Sequence, residues 1–290
     1  MSYADMEIKQ IFIYPFKSLN GIEVREILIT EHGFLHDRMY MLAHKNDQGE
    51  YIPVTRSAAP ELNDIQVNLH ERDFPEFQLS YTLDSELFQL ELPFAISKLP
   101  STMESIDIHP WSDTMTCYDL GAKVPQYTQF FQRLLKDKFT DLTVVVTAVK
   151  RKHPDTGFIP QKFSEKNCPE RFANYQDLWP GTLLSTGTIL SLEEPNHSTS
   201  LADLRANLVV ESAESFSECR WRELMIANHL WKVDVAVSAL AKTNSEVNFF
   251  VLHGRTRGNT KLPYYGSNII NHDYNYVVKL GDRVDVIKEV

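Results

Sequence analysis

Three polar side chains near the amino terminus have the chemistry of an anion-binding site. Lys17 and Ser18 interrupt a run of bulky apolar residues, and Arg38 precedes another such run. Arginine binds phosphate as a planar fork and lysine binds it as a point charge. The pattern therefore predicts a small anion-binding cluster of Lys17, Ser18 and Arg38. A surface turn with ordinary charges is the alternative that the residues leave open.

The sequence predicts that three short strands, beginning within residues 11–40, position these side chains. Residues 11–13 are apolar and bulky, which suits a half-buried strand. Asn20-Gly21 is a hairpin signal because both residue types tolerate a positive φ. His32-Gly33 predicts a second turn, and residues 39–42 predict a third strand.

Three segments carry a resemblance to a known family: YPFKSLNGIEV, HGFLHDRMYML and VTRSAAPEL. They resemble the amino-terminal β-barrel domain of the MOSC family, which is named after the carboxyl-terminal domain of molybdenum cofactor sulfurase. Within that family the chain resembles the two-domain, amidoxime-reducing type. The resemblance implies that Lys17, Ser18 and Arg38 contact a pterin cofactor and its phosphate. It also implies that Arg56 faces the cofactor, with a plain exposed arginine as the alternative, and His36 stands where the family usually has glycine.

Composition narrows the class of protein. At 290 residues, with 43% hydrophobic and 23% charged residues, the chain is typical of a folded soluble protein of two domains. Its net charge of −10 argues against sequence-independent binding of nucleic acid. No apolar run reaches the roughly 20 residues of a membrane-spanning helix, and the first residues lack a leader pattern, so we expect a cytoplasmic protein without membrane contact.

The rest of the chain predicts a mainly β (α+β) fold, with an amino-terminal β-barrel-like domain at 1–122 and a MOSC β-barrel domain at 123–290. Alternating apolar residues over 62–107 predict several antiparallel strands. Residues 123–138 have apolar side chains at helical spacing and predict a helix. The β-branched run 142–149 predicts a buried strand, and 182–192 is read as a return to β structure.

The segment SLADLRANLVV at 200–210 resembles a cofactor-holding region of the family's second domain. The resemblance implies that Arg205 and Asn207 hold the cofactor, and that Ser200 is the polar residue which begins the nearby helix. The alternative for Ser200 is a helix cap, with Asp203 three residues later. The closing segment GDRVDV also resembles the family's carboxyl terminus.

The metal-ligand motif of the family is the part that the chain lacks. In the amidoxime-reducing type, a cysteine thiolate in the carboxyl-terminal region ligates molybdenum, and thiolate is the soft ligand that such a site requires. The cysteines here are Cys117, Cys168 and Cys219, and none follows Cys219. The sequence therefore predicts no metal ligand, and the widely spaced cysteines predict reduced thiols.

Together these features favour a MOSC protein whose cofactor cleft is degenerate, with Lys17, Arg38 and Arg205 converging between two domains. Its partner would be a phosphate-bearing small molecule, a pterin cofactor or another protein. One alternative is an active molybdenum-cofactor oxidoreductase that reduces N-hydroxylated compounds with electrons from a partner. Another is a sulfur-carrier or cofactor-handling protein that uses Cys219 beside Arg220.

Overall fold

A computed structural model describes residues 6–69, 76–100, 102–109, 114–147, 151–152, 172–173, 180–192, 204–238, 256–257, 260–261, 264–271 and 273–289. The chain divides into two compact units. Unit 1 contains the described parts of 1–13, 23–35 and 155–290, and unit 2 contains those of 14–22 and 36–154.

Most of the regular structure is β-strand. In chain order the strands are β1 Ile8–Ile13, β2 Ile22–Val24, β3 Glu26–Thr30, β4 Gly33–Phe34, β5 Tyr40–Lys45, β6 Tyr51–Pro53, β7 Gln66–Leu69, β8 Glu76–Leu83, β9 Glu86–Pro93, β10 Ser105–Ile108, β11 Met115–Asp119, β12 Thr140–Thr147, β13 Arg151–Lys152, β14 Phe172–Ala173, β15 Gly181–Ser185, β16 Leu208–Val210, β17 Trp221–Ile226, β18 His229–Ser238, β19 Thr256–Arg257, β20 Thr260–Lys261, β21 Tyr264–Asn271, β22 Tyr276–Lys279 and β23 Val284–Glu289. The α-helices are α1 Leu120–Lys123, α2 Pro125–Leu135 and α3 Thr186–Leu192, and short 3₁₀ turns occur at Pro60–Asp64, Ile96–Lys98, Lys136–Lys138 and Ser217–Cys219. The predicted mainly β fold is confirmed.

A closed barrel of five strands, in the order β10-β11-β12-β5-β6, forms the core of unit 2. The predicted buried strand at 142–149 is β12, which pairs antiparallel with β5 so that Val144 lies opposite Leu42. Both side chains are almost completely buried. A nearly continuous run of β-branched residues suits such a position, because both faces of the strand are covered.

The predicted helix at 123–138 is α2, which begins at Pro125 and ends at Leu135. Proline fits the first helical position because its missing N–H has no partner within the helix there. The buried face of α2 includes Phe130 and Phe131, and the ring of Phe131 lies 5.1 Å from that of Phe16. The strands predicted over 62–107 are also present, since β7, β8 and β9 form an antiparallel sheet and β10 joins the barrel.

Unit 1 contains an eight-stranded sheet in the order β2-β1-β16-β15-β21-β18-β17-β23. The short strand β16 is central: it pairs antiparallel with β1 and parallel with β15. Its three residues are fully buried, as are Trp221 on β17 and Trp231 on β18. The strand that follows Arg205 and Asn207 is therefore a buried interior strand of this sheet.

The prediction of β structure throughout 182–192 is wrong for its second half. Strand β15 ends at Ser185, and residues 186–192 form helix α3. The backbone N–H of Thr188 donates to the Ser185 hydroxyl at 3.2 Å, which is a typical cap at a helix start. Ile189 and Leu192, three residues apart, then pack in one buried cluster with Leu204. This helical spacing is hard to recognise within a nearly continuous apolar run.

The compact units do not follow the order of the sequence. Helix α2 and strand β12 belong to unit 2, together with the other strands of the barrel. The sequence instead predicts that they belong to a second domain. The sequence-domain boundary after residue 122 stays a prediction. Among the described helices, none is long and apolar enough to cross a membrane.

Candidate functional site

The loop that follows β1 carries Lys17 and Ser18. The N–H of Lys17 donates to the Tyr40 carbonyl at 2.8 Å, and the N–H of Tyr40 donates to the Pro15 carbonyl at 3.1 Å. Phe16, stacked on Tyr40 with ring centroids 6.2 Å apart, anchors the loop in the core of unit 2. The backbone at Lys17 is therefore fixed while its side chain is only partly buried.

Ser18 and Arg56 are brought together on this loop. Ser18 has a left-handed backbone with φ 70°, and its hydroxyl donates to the Val54 carbonyl at 3.2 Å. Arg56 Nε donates to the Ser18 carbonyl at 2.8 Å, and Nη2 donates to Asn20 Oδ1 at 2.7 Å. The side chain of Arg56 is nearly buried, so the exposed surface arginine considered above is not what the structure shows.

The expected tight turn at Asn20-Gly21 is replaced by the longer connection 14–21 between β1 and β2. Asn20 contributes its side chain, which donates to the carbonyls of Asn63 at 3.1 Å and Ile65 at 2.8 Å. A Cβ at Gly21 would lie 2.5 Å from the Tyr14 ring. Glycine is thus required for close approach to an aromatic ring, and the positive φ of this loop falls at Ser18 instead.

Arg38 is held against the same loop. Its N–H donates to the Tyr14 carbonyl at 2.7 Å, and its guanidinium carbon lies 4.7 Å from the centre of the Tyr14 ring. Nη1 donates to the carboxylate of Asp37, which is completely buried. The other oxygen of Asp37 accepts the Tyr14 N–H at 2.9 Å. Arg38 is therefore both a cation at the loop and half of a buried ion pair.

His36 lies two residues before Arg38, and both have left-handed backbones, with φ 66° and 51°. This conformation explains why glycine suits position 36. The imidazole stacks on Phe94 with ring centroids 4.4 Å apart. Burial lowers the pKa of His36 to about 4, so the ring is neutral at neutral pH. His36 therefore adds an aromatic surface beside the arginine and no charge.

We call the set Lys17, Ser18, Arg38 and Arg56 the cationic turn. The set contains three cations, one of which, Arg38, pairs with the buried carboxylate of Asp37, in a chain whose net charge is −10. Asp37 fixes the guanidinium of Arg38, and the Ser18 carbonyl fixes that of Arg56. Guanidinium groups held in place in this way bind anions with little loss of conformational freedom. Sequence reasoning placed all four residues in one region but missed Tyr14, which contacts Arg38 and which no local pattern singles out.

Arg205 and Asn207 belong to unit 1, where the structure gives them different settings. Arg205 is half-buried and has a left-handed backbone with φ 50°. Asn207 is completely buried; its Oδ1 accepts the Thr182 N–H at 3.2 Å and its Nδ2 donates to the Phe12 carbonyl at 3.1 Å. These bonds join β1 and β15, so Asn207 has a structural role whether or not it holds a cofactor.

Ser200 and Cys168 lie outside the described residues. Cys219 is 8% exposed, and the guanidinium of the neighbouring Arg220 makes two bonds to Glu214 at 2.6 and 2.5 Å. Cys117 is also buried. Over the described ranges, no three His, Cys, Asp or Glu side chains lie close enough to hold a metal ion together.

Comparison with known proteins gives a domain match for the amino-terminal part of the chain and two distant relatives. Residues 5–138 match the family model described as MOSC N-terminal beta barrel domain, a range that contains the whole cationic turn. The chain is 24% identical over 233 residues to mitochondrial amidoxime reducing component 2 of Rattus norvegicus, covering 76% of this chain and 61% of the relative. It is 23% identical over 233 residues to molybdenum cofactor sulfurase of Oryza sativa subsp. japonica, covering 77% of this chain and 26% of the relative. The chain thus spans less than two thirds of the length of either relative. Residues 5–138, somewhat less than half of the chain, thus match the MOSC N-terminal beta barrel domain.

Proposed function

We propose that the cationic turn binds the phosphate of a molybdenum-pterin-type cofactor, in a protein whose cofactor site has lost its thiolate ligand. The observation that carries this proposal is that Arg38 and Arg56 are both bonded to the fixed loop of unit 2 that carries Lys17. Arg205, which lies in unit 1, stays a predicted contributor.

The backbone in and next to the cationic turn supports a binding role. Ser18, His36 and Arg38 all have left-handed backbones. Each such residue costs about 1–2 kcal/mol relative to a right-handed one. Residues held in unfavourable conformations cluster at ligand-contacting turns, because the fold must supply the free energy that keeps them there. The resemblance of segments to cofactor-contacting ones in the family points to the same turn.

The residues fit the anionic part of such a cofactor better than its metal. Guanidinium and ammonium groups match a phosphate in charge and geometry. No cysteine follows Cys219 in the sequence, and Cys117 and Cys219 are buried. When bound, a molybdenum-pterin cofactor supplies redox chemistry at its metal. The residues of this chain would hold its phosphate, and a serine oxygen would be a harder and weaker metal ligand than a thiolate.

An active oxidoreductase that reduces N-hydroxylated compounds is the second candidate. The similarity to a rat protein named as an amidoxime reducing component favours it. It requires an electron donor, which would be a partner protein. A sulfur-handling role, suggested by the name of the rice relative, requires a reactive thiol. The burial of Cys219 and the pairing of Arg220 with Glu214 argue against that thiol. A cytoplasmic location stays a prediction.

The test is the pterin and molybdenum content of the chain purified from a host that makes the cofactor. We expect bound pterin in the unaltered chain and at least about tenfold less in Lys17→Ala, because one charge-assisted hydrogen bond contributes about 1.5–3 kcal/mol. Lys45→Ala is the matched control, since Lys45 is also a lysine of unit 2 but pairs with Asp141 outside the cationic turn.

The outcomes separate the candidates. Pterin without stoichiometric molybdenum supports the proposal. Pterin with one molybdenum per chain, together with reduction of an N-hydroxylated compound, would assign the active oxidoreductase instead. A chain that carries no pterin, or a Lys17→Ala variant with unchanged occupancy, would refute binding at the cationic turn.

A further inference from the structure

A groove of about 710 Å³ lies in unit 2, outside the cationic turn. One wall is strand β9 and the other is the exposed side of helix α2. Four consecutive residues of β9, Phe88 to Glu91, line it. Because consecutive side chains of a strand point to opposite faces, a groove that contacts all four must follow the edge of the strand.

That edge carries backbone groups available for pairing. In the three-stranded sheet β7-β8-β9, β9 is terminal, and the described residues pair it with β8 alone. An edge strand presents a row of N–H and C=O groups that can template a further strand. Leu87 on β9 is 59% exposed, which leaves an apolar side chain at the same edge.

Helix α2 is fixed to the sheet on one side of the groove. The Tyr81 hydroxyl of β8 donates to the Phe130 carbonyl of α2 at 2.9 Å, so helix and sheet are joined beneath the groove. Gln126 and Gln129 of α2 also line the groove. A groove between an edge strand and a helix is the setting in which extended peptides bind by strand addition.

The charges of the groove differ at its two ends. Glu76 lies opposite Pro93 and Glu91 lies opposite Gln78, so the two acids are diagonal neighbours at one end. Lys98 lies 3.9 Å from Glu76 and offsets one of the two charges. At the other end, the guanidinium of Arg133 lies 5.2 Å from the centre of the Phe88 ring.

We propose that β9 accepts an extended segment of a partner protein as an added antiparallel strand. Since β9 runs toward Pro93, an antiparallel segment begins near the acidic end and finishes near Arg133. Its amino end therefore meets Glu91 and its carboxyl end meets Arg133, which matches charge at both ends. The partner segment is uncharged in its middle, where glutamine side chains line the groove, basic at its start and acidic at its finish.

The probe is a synthetic peptide of about eight residues, long enough for one strand. It has lysine first, glutamate last and alternating threonine and valine between, with both termini blocked. A second peptide exchanges the two charged residues, and a third carries N-methyl groups on alternate backbone nitrogens. Binding to the full chain is measured by titration and by hydrogen exchange of the Phe88–Glu91 amides.

We expect the first peptide to slow exchange of the β9 amides and the N-methylated peptide to have no effect. Arg133→Glu should weaken the first peptide about threefold to tenfold and favour the charge-exchanged one, as expected for an exposed ion pair that becomes a repulsion. Lys123→Glu makes the same charge change outside the groove and should leave both affinities unchanged.

Three results would overturn the proposal. One is unchanged exchange at β9 with every peptide. The second is equal binding of the N-methylated peptide, because strand addition requires backbone hydrogen bonds. The third is protection of β9 that appears without peptide and grows with protein concentration, which would assign the edge to a second copy of this chain.

Discussion

Arg38 in unit 2 and Arg205 in unit 1 both have left-handed backbones, yet their surroundings differ. Arg38 is nearly buried, pairs with buried Asp37 and lies over the Tyr14 ring. Arg205 is half-buried, and the bonds that join the strands next to it come from Asn207. In unit 2 the proposed ligand-binding cation is itself half of a buried pair, whereas in unit 1 the bonds that join β1 and β15 come from Asn207, two residues after the predicted cation.

This difference decides how substitutions should be interpreted. An Arg38 variant that binds no cofactor would report on folding as much as on binding, because removal of the guanidinium disturbs a buried pair. Lys17 is only partly buried, so we expect its truncation to disturb the core less than that of Arg38. The functional test therefore uses Lys17, and Arg38 and Asn207 serve to test the structural comparison.

The largest effect is expected from Arg38→Met. The variant keeps the length of the side chain but removes the cation that offsets Asp37, and it should lower the free energy of unfolding by about 3–5 kcal/mol. Urea denaturation measures it. Asp37→Asn/Arg38→Met is the control, since asparagine still accepts the Tyr14 N–H, and it should recover part of the loss. A loss below about 1 kcal/mol in the single variant would show that the pair does not stabilise the turn.

The next effect is expected at Asn207. Asn207→Ala removes a hydrogen-bond partner from the Thr182 N–H and from the Phe12 carbonyl, both within the buried sheet. Leaving buried polar groups unpaired should cost about 2–4 kcal/mol, measured by the same denaturation. If Asn207→Ala were nearly neutral in stability while it abolished pterin binding, the amide would be a ligand contact rather than a structural one.

The sequence predicted the fold well where a pattern fixes the answer locally. Alternating apolar residues gave the strands of β7 to β9, and the spacing of aromatic residues gave α2. It failed at α3, where an apolar run suits a strand and a helix equally and the Ser185 cap decides. The period of hydrophobic residues is a local property, but the pairing of β16 between β1 and β15 is not.

The residues of the candidate site were predictable from the sequence, but the tertiary contacts that hold them were not. Lys17, Ser18, Arg38 and Arg56 stand in recognisable segments, and the structure groups them. The buried pairing of Asp37, the Tyr14 ring over Arg38 and the stacking of His36 on Phe94 depend on tertiary contacts. The joint contribution of Arg205 and Ser200 to cofactor binding stays a prediction.

A smaller, pH-dependent effect is expected at His36, which lies next to the cationic turn in the sequence. Burial lowers the pKa of His36 to about 4, whereas an unfolded histidine has a pKa of about 6.5. Between these values the unfolded chain binds more protons, so the stability that His36 contributes is present above about pH 6.5 and is lost as the pH falls toward 4. Because the imidazole is partly exposed, we expect a loss of about 1–2 kcal/mol.

His36→Asn is the matched variant for this measurement. Asparagine tolerates the left-handed backbone and does not titrate in this range. The unfolding free energy of the unaltered chain, minus that of the variant, should fall from pH 7 to pH 4. Carboxylates that titrate in this range are common to both proteins and cancel in the subtraction. A constant difference across that range would mean that the His36 environment does not resist protonation.

The smallest effect tests the feature that Arg205 and Ser18 share. At each position, alanine and glycine variants lose the same side-chain contacts and differ only in the cost of a left-handed backbone. Glycine should be more stable than alanine by about 1 kcal/mol at both positions. Lys17 is the control because its φ is not positive, and there alanine should be the more stable by about 0.5–1 kcal/mol. The opposite order at Arg205 alone would mean that its left-handed backbone is absent in solution. Arg205 and Arg38 would then no longer share a backbone conformation.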